Sequence, residues 1–202
     1  MTGGDLGAIP VIVGLAIIWT IFQILNPTFL SSANLVNLAM QSAVLGTIAL
    51  GVVLVLLLAQ IDLSVGSLSG LAAAILAVAF TQLNWPLPLA ILAALAAGAV
   101  FGWFYGFLLT RFGVPSFVIT LAGLLGVLGL QLWVLGRLGS INIPFDSWIV
   151  QFVQLMFLLF VVLVVGVDFA LKRTRWDRSI YAVGGNSEAA AATPTSPRLR
   201  RR

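Results

Sequence analysis

The residue types on which most enzymes rely for catalysis are missing from this sequence. Its 202 residues include no histidine and no cysteine, which removes imidazole bases, thiolate nucleophiles and the usual metal ligands. A serine nucleophile needs a base to take its proton, and the single lysine, Lys172, lies far along the chain from Ser64 and Ser67. We therefore expect a protein that is not an enzyme and that holds no metal or cofactor of its own.

Asp62 is the acidic residue closest to the middle of the hydrophobic sequence, within the segment QIDLSVGS at 60–67. An ionisable side chain at membrane depth is costly and usually has a function. In one interpretation, Asp62 accepts hydrogen bonds from amides at the start of the following helix, with Ser64 assisting. In the other, Asp62 borders a polar pathway for a solute, together with Ser64, Ser67 and Ser69. The two interpretations are compatible.

A proton relay through Asp62 is less favoured. Relays in carriers usually employ several intramembrane carboxylates or histidines. The nearest second candidate is Asp168, which lies close to the end of its own apolar run. A single central carboxylate therefore fits a solute pathway better than it fits proton transport.

The composition indicates a membrane protein. Apolar residues make up 61% of the chain and charged residues 8%, with a mean hydropathy of +1.15, whereas soluble domains have about 25% charged residues. A helix needs roughly 20 predominantly apolar residues to cross the hydrocarbon core. The apolar runs are long and show no alternation, which favours helices over strands. The sequence predicts six spans, at residues 9–25, 38–59, 63–81, 87–110, 114–135 and 148–171.

The positive charges predict the orientation of these spans. Eight of the ten lysines and arginines lie between residues 172 and 202, a clustering typical of a cytoplasmic segment and not of a face that binds nucleic acid. Counting back through six spans places the amino terminus in the cytoplasm as well. Arg111 then lies inside and Arg137 outside. We expect an all-α, polytopic transmembrane helical bundle with both termini cytoplasmic.

Small residues in the fourth span predict close helix packing. Gly98, Gly102 and Gly106 recur every four residues and therefore lie along one stripe of the helix. Helices in lipid associate mainly through close contact, which small residues permit. We expect this stripe to pack against a neighbouring helix.

A basic anchor follows the last span, and it leads into an amphipathic stretch with a Gly-Gly pair at 184–185. One interpretation is a cytoplasmic element that docks a partner. The other is a positively charged tail that only sets the topology.

Three segments resemble the permease subunits of bacterial sugar ABC importers, which form the ribose, galactose and xylose group of the branched-chain amino acid and ribose permease family. They are AQIDLSVGSLSGLAAA at 59–74, VPSFVITLAG at 114–123 and IYAVGGNSEAA at 180–190. The run NWPLPLAI at 84–91 and its spacing are most similar to the xylose-transporting members. The resemblance extends over most of residues 30–190.

This resemblance implies a permease of the bacterial inner membrane that pairs with a second permease copy. Partner subunits in the cytoplasm would bind and hydrolyse ATP, and a periplasmic sugar-binding protein would deliver the substrate, D-xylose or a related monosaccharide. The stretch from Asp62 to Gly70 would lie beside the translocation pathway. The loop that couples the permease to the ATPase would contain Gly184, Gly185, Asn186 and Glu188.

The resemblance ends near residue 190. Members of the family continue into further membrane spans, whereas this sequence changes to an Ala, Thr and Pro segment with four arginines among its last five residues. We therefore expect a permease region at 1–190, a basic disordered tail at 191–202, and a truncated or frameshifted reading frame. The alternatives are a stand-alone carrier or channel for a small neutral solute, and a scaffold whose tail binds anionic lipid.

Overall fold

The computed structural model describes residues 9–143, 155–173, 180 and 183–185. Within these residues the chain forms helices and no strand. The six longer α-helices in the described ranges are α1 (Ile9–Leu25), α2 (Ser32–Leu57), α3 (Val65–Thr81), α4 (Leu87–Phe112), α5 (Ser116–Leu135) and α6 (Met156–Arg173), and a short 3-10 turn (Gly136–Leu138) follows α5. Residues 180 and 183–185 are also helical. This architecture confirms the all-α prediction, and each of the six longer helices overlaps one predicted span.

Three of the helical segments are long and apolar enough to cross a membrane: Ser32–Leu57, Leu87–Phe112 and Ser116–Leu138. The helices α1 and α3 are also apolar, but each has only 17 residues, which is the lower end of the usual range for a span. The helix α6 has 18 residues and carries Lys172 and Arg173 in its last turn. The chain is a polytopic membrane protein.

The helix boundaries differ from the predicted spans where polar side chains cap a helix. The helix α2 begins at Ser32, six residues before the predicted start, because the Ser31 hydroxyl accepts a hydrogen bond from the Asn34 amide at 3.4 Å. The Asn34 side chain donates in turn to the Phe29 carbonyl at 2.6 Å. A polar turn of helix therefore precedes the apolar run. The predicted start of the last span, at Trp148, lies outside the described residues.

The helix α3 is the centre of the bundle and packs most extensively against α5 and α4. The side chains of Leu71, Leu87 and Val127, one from each of these helices, are almost fully buried between them. The helix α2 packs instead against α6, where the ring of Phe160 lies directly on Gly46. In contrast, α1 has no buried residue. Most large apolar side chains face outward, as a lipid surround requires.

Candidate functional site

The chain reverses sharply at the end of α2. The Ala59 amide donates to the Leu56 carbonyl at 2.9 Å, and the Gln60 amide donates to the Val55 carbonyl at 3.2 Å. This pair of bonds forms a Schellman motif, in which the residue after the cap adopts the left-handed conformation. Here that residue is Ala59, with φ of +54°. The turn directs residues 60–64 across the end of the bundle.

Asp62 organises the start of α3. Its Oδ1 atom accepts hydrogen bonds from the Ser64 amide at 2.8 Å and from the Ser64 hydroxyl at 2.7 Å. Ser64 is completely buried and is the residue that caps α3, although its own side chain bonds no amide of the first turn. Asp62 therefore orders the cap residue and does not itself accept amides of the helix, which refines the predicted capping role.

The three serines that were predicted to line a pathway use their hydroxyls locally. The Ser64 hydroxyl donates to Asp62, the Ser67 hydroxyl donates to the Ser64 carbonyl at 2.9 Å, and the Ser69 hydroxyl donates to the Gly66 carbonyl at 2.8 Å. Ser67 is also buried, with 8% of its surface exposed. Contact of these serines with a solute stays a prediction.

The Asp62 segment is tied to the first turn of α5. The Ile61 amide donates to the Ser116 hydroxyl at 3.2 Å, and the Thr120 hydroxyl lies 3.2 Å from the Ile61 carbonyl and 2.9 Å from the Ser116 carbonyl. Thr120 is only 4% exposed. The segments 59–74 and 114–123, which are far apart in sequence, therefore meet at one end of the bundle.

A cavity of about 240 Å³ lies beside this junction. One side is formed by Gln60, Asp62 and Ser116, and the opposite side by Gly102, Tyr105 and Gly106 of α4. Of the four predicted pathway residues, Asp62 lines this cavity. The spacing of the α4 glycines predicts a stripe of small residues along the helix. It does not show whether another helix or a cavity lies against that stripe, so their role here was not apparent from the sequence.

The glycine stripe of α4 borders open space in the described part of the chain. Apart from the backbone of α4 itself, no atom there lies within 4 Å of the position that a Cβ atom would take at Gly98, Gly102 or Gly106. The predicted packing role therefore stays a prediction for contacts beyond these residues. Within this part of the chain, two of the three glycines contribute space to the cavity.

Gly184 of the predicted coupling loop lies against the end of α2. Its backbone is so close to the Leu57 carbonyl that a Cβ atom at this position would collide with that oxygen. Among the residues that the structure describes, a Cβ atom on Gly185 would meet nothing within 4 Å. The contact could not be read from the sequence, because 126 residues separate the partners by their numbers. Asn186 and Glu188 lie outside the described residues.

The second carboxylate that was considered for a proton relay, Asp168, is not part of this site. Asp168 forms an ion pair with Lys172 one turn along α6, with 2.6 Å between its Oδ1 atom and the lysine Nζ atom, and both side chains are largely exposed. In the described part of the chain, no three acidic residues cluster in a way that could hold a metal ion. Among the described residues that line the cavity, Asp62 is the one that carries a charge.

Comparison with known proteins identifies relatives of this chain. The family described as branched-chain amino acid transport system / permease component matches residues 34–198. The xylose transport system permease protein XylH of Haemophilus influenzae is 39% identical over 120 residues, which cover 59% of this chain and 32% of the relative. XylH of Escherichia coli K12 is 43% identical over 102 residues, which cover 50% of this chain and 26% of the relative.

A third relative aligns over a greater length. The galactose/methyl galactoside import permease protein MglC of Escherichia coli K12 is 33% identical over 207 aligned positions, which cover 91% of this chain and 61% of the relative. The chain thus spans between 26% and 61% of the length of these three relatives. No solved structure matches it. Because the family match extends over most of the chain, the protein belongs to the family of permease components of branched-chain amino acid transport systems.

Proposed function

We propose that this chain is a permease subunit, or part of one, of an ATP-driven importer of a neutral monosaccharide in the bacterial inner membrane. D-xylose or a related sugar is the substrate, by similarity to the relatives named for xylose and galactose import. A second permease copy completes the pore, an ATP-binding subunit supplies energy, and a periplasmic sugar-binding protein delivers the solute. ATP is bound and hydrolysed by the partner subunit, so this chain needs no cofactor of its own.

The observation that supports this proposal most directly is that two segments that resemble sugar importer permeases meet beside one cavity. The segments 59–74 and 114–123 are joined through Ile61, Ser116 and Thr120, and the cavity beside them contains a single charged group. A sugar brings hydroxyl groups and no charge, so it needs few ionised partners. Transport would follow alternating access, in which rigid parts rock about the solute site.

The contact between Gly184 and Leu57 supports the proposed orientation. The end of α2 and the segment after α6 lie together, and Lys172 and Arg173 end α6 just before that segment. The positive-inside rule assigns such basic ends to the cytoplasm. In this arrangement Gly184, Gly185, Asn186 and Glu188 would form the surface that meets the ATP-binding subunit.

The absence of cysteine makes the orientation directly testable. A single cysteine introduced at position 185 should react with a membrane-impermeant maleimide in inverted vesicles and stay unlabelled in intact spheroplasts. A cysteine at Leu83, between α3 and α4, should show the opposite pattern. Labelling of position 185 from the periplasm alone would overturn the proposed topology.

The transport role is tested with the chain and a candidate ATP-binding subunit of a sugar importer. The two proteins should co-purify in detergent, and replacing residues 180–190 with a Gly-Ser linker of equal length should abolish that association. In proteoliposomes that contain the importer components, uptake of labelled D-xylose should require ATP. Uptake by this chain alone without ATP would instead support a stand-alone carrier, the second candidate function.

A further inference from the structure

An apolar cavity lies between α4 and α5, near the end of the bundle where α4 ends and α5 begins. Its volume is about 390 Å³, and its walls include Phe104 and Leu108 of α4 and Val118 and Ala122 of α5. Phe104 is 45% exposed and Val118 is 51% exposed. The apolar cavity therefore opens on the outer surface of the bundle, which faces lipid in a membrane protein.

The walls of the apolar cavity offer almost no hydrogen-bonding groups. Among the described residues that line it, the one side chain with a polar atom is Tyr105, and its hydroxyl oxygen is buried against Gly123. A solute with many hydroxyl groups would lose its hydrogen bonds to water here without replacement. A hydrocarbon chain needs no such bonds, so the apolar cavity suits an acyl chain and not a polar solute.

The length of the apolar cavity matches one leaflet of a bilayer. Its lining residues on α4 begin at Phe101, and Arg111 in the last turn of α4 follows ten residues later, which corresponds to about 15 Å of helix. The hydrocarbon core of a bilayer is about 30 Å thick, so one leaflet contributes about 15 Å. A membrane-spanning helix would need a groove of the full thickness, whereas a phospholipid needs half of it.

Arg111 provides a positive charge at the end of the apolar cavity. It follows Leu108 by three residues and Phe104 by seven, so it lies on the same face of α4 as these two lining residues. Its side chain is exposed and forms no ion pair or hydrogen bond within the part of the chain that the structure describes. A guanidinium group binds phosphate oxygens through paired hydrogen bonds. Arg111 is therefore complementary to the phosphate of a phospholipid whose acyl chain occupies the cavity.

This end of the bundle is the one that the proposed orientation assigns to the cytoplasm. The Ser116 hydroxyl in the first turn of α5 accepts a hydrogen bond from the Ile61 amide, just after the end of α2. The end of α2 also contacts Gly184, which follows the basic end of α6. The cytoplasmic leaflet carries anionic lipids that attract basic side chains at the membrane surface. Arg111 therefore lies at the depth and on the side where anionic headgroups are found.

We propose that the apolar cavity between α4 and α5 binds one phospholipid with an anionic headgroup from the cytoplasmic leaflet. The headgroup phosphate pairs with Arg111, and one acyl chain packs along Phe104, Leu108 and Val118. This site goes beyond the proposed transport function, because its ligand is a component of the membrane that enters from the side of the bundle and is not carried across it.

Photolabelling tests the position of the lipid. The purified chain is placed in phosphatidylcholine nanodiscs that contain phosphatidylglycerol with a photoactivatable diazirine on its acyl chain. Peptide mapping should find the adducts concentrated on residues 101–108 and 118–127. Adducts that are spread evenly over the lipid-facing surfaces of all helices would overturn the proposal.

Filling the apolar cavity tests whether the lipid occupies it. Gly126→Leu should reduce the labelling severalfold, and Gly129→Leu is the matched control. Both glycines are exposed, and a Cβ atom at either would meet no atom of the described residues within 4 Å, but of the two only Gly126 lines the cavity. Leucine favours a helix more than glycine does, so circular dichroism should show that both variants fold. Equal labelling of the two variants would overturn the proposal.

The headgroup is tested by competition between the phosphatidylglycerol probe and a phosphatidylcholine probe with the same acyl chains. The parent chain should favour phosphatidylglycerol by about fivefold, as expected for one basic side chain at the surface. Arg111→Gln should bring the ratio close to one, and Arg111→Lys should retain most of the preference. Arg173→Gln removes the same charge from the last turn of α6 and should leave the ratio unchanged. An unchanged ratio in Arg111→Gln would overturn the role of Arg111.

Cysteine pairing tests the alternative that a second copy of this chain covers the apolar cavity. The chain has no cysteine, so Ala122→Cys introduces a single thiol in the cavity wall. Leu125→Cys controls for chance collisions, because Leu125 is 66% exposed on the same helix and does not line the cavity. Oxidation of the membranes should yield no more disulfide-linked dimer at 122 than at 125. A dimer that forms much more readily at 122 would overturn the lipid assignment.

Failure of the lipid site can be distinguished from failure of the proposed function. A chain that co-purifies with its candidate ATP-binding subunit but shows no localised labelling would retain the permease role and lose the lipid site. A chain with localised labelling that depends on Gly126 and Arg111, but without association with that subunit, would retain the lipid site and lose the ATP-driven role.

Discussion

The hydroxyl of Tyr105 on α4 lies directly against the backbone of Gly123 on α5, and among the described residues it has no hydrogen-bond partner. The hydroxyl oxygen is fully buried. The absence of a side chain at Gly123 is what permits this approach. Tyr105 lines two cavities, the one beside Asp62 and an apolar one of about 390 Å³ between α4 and α5.

Removal of the Tyr105 hydroxyl should stabilise the protein. A buried donor without a partner costs about 1–3 kcal/mol, and phenylalanine retains the ring that packs between α4 and α5. We expect Tyr105→Phe to raise the apparent unfolding temperature in detergent. A lower temperature would show that the hydroxyl has a partner that stabilises it.

The space at Gly123 should not tolerate a methyl group. Gly123→Ala would place a Cβ atom where the Tyr105 hydroxyl lies, and overpacking of this kind costs about 1–3 kcal/mol. Gly126→Ala is the matched control on the same helix, because a Cβ atom there meets no atom of the described residues within 4 Å. Thermal unfolding should separate the two variants, and Tyr105→Phe should partly rescue Gly123→Ala.

The left-handed turn at Ala59 should be relieved by glycine. A residue with a Cβ atom pays about 1–2 kcal/mol in this conformation, so Ala59→Gly should stabilise the end of α2 by about 1 kcal/mol. Ala49→Gly in the interior of α2 should instead destabilise it by about 0.5–1 kcal/mol. Opposite shifts of the unfolding temperature are expected, and shifts of the same sign would contradict the Schellman geometry.

A side chain at Gly184 should disturb the coupling loop. Gly184→Ala would collide with the Leu57 carbonyl, whereas a Cβ atom at Gly185 would meet no atom of the described residues within 4 Å. We expect Gly184→Ala to reduce co-purification of the ATP-binding subunit severalfold, because the collision would displace the whole loop, and Gly185→Ala to reduce it less. Indistinguishable retention of the two variants would mean that the contact with α2 does not position the loop.

The packing of α2 against α6 is tested at Gly46. A Cβ atom there would overlap the ring of Phe160, which is too rigid to move aside without loss of contact. At Gly51, on the same helix, a Cβ atom would meet nothing within 4 Å in the part of the chain that the structure describes. We expect Gly46→Ala to lower the unfolding temperature and Gly51→Ala to preserve or raise it. If the two variants unfold alike, α6 does not lie on α2.

The positions of the helices could be predicted because a span in lipid leaves a long apolar run in the sequence. The prediction was least accurate where a polar residue belongs to a helix, as at Asn34, or where a local turn delays the start of one, as Asp62 and Ser64 delay α3. The signal for the first case was present in Ser31, a preferred cap residue three positions before Asn34.

The candidate site was only partly predictable. Asp62 was identified because a carboxylate in apolar sequence is costly. Gln60, Tyr105 and Thr120 were missed, since an amide, a phenol and a hydroxyl are common in helices and gain significance only when distant segments meet. Likewise, the spacing of Gly102 and Gly106 predicts a small surface, and only the three-dimensional arrangement shows that a void lies beside it.

Two consecutive residues at the end of α2 link the proposed coupling loop to the cavity beside Asp62. The carbonyl of Leu57 is in contact with Gly184, and Leu58 forms part of the wall beside Asp62. Leu57 and Leu58 are joined directly in the chain. A displacement of the loop at Gly184 would therefore tilt the end of α2 and move the wall of the cavity with it. If the proposed importer assembles as described, movement driven by ATP hydrolysis would pass from the coupling loop to the wall of the cavity across one peptide unit of this chain.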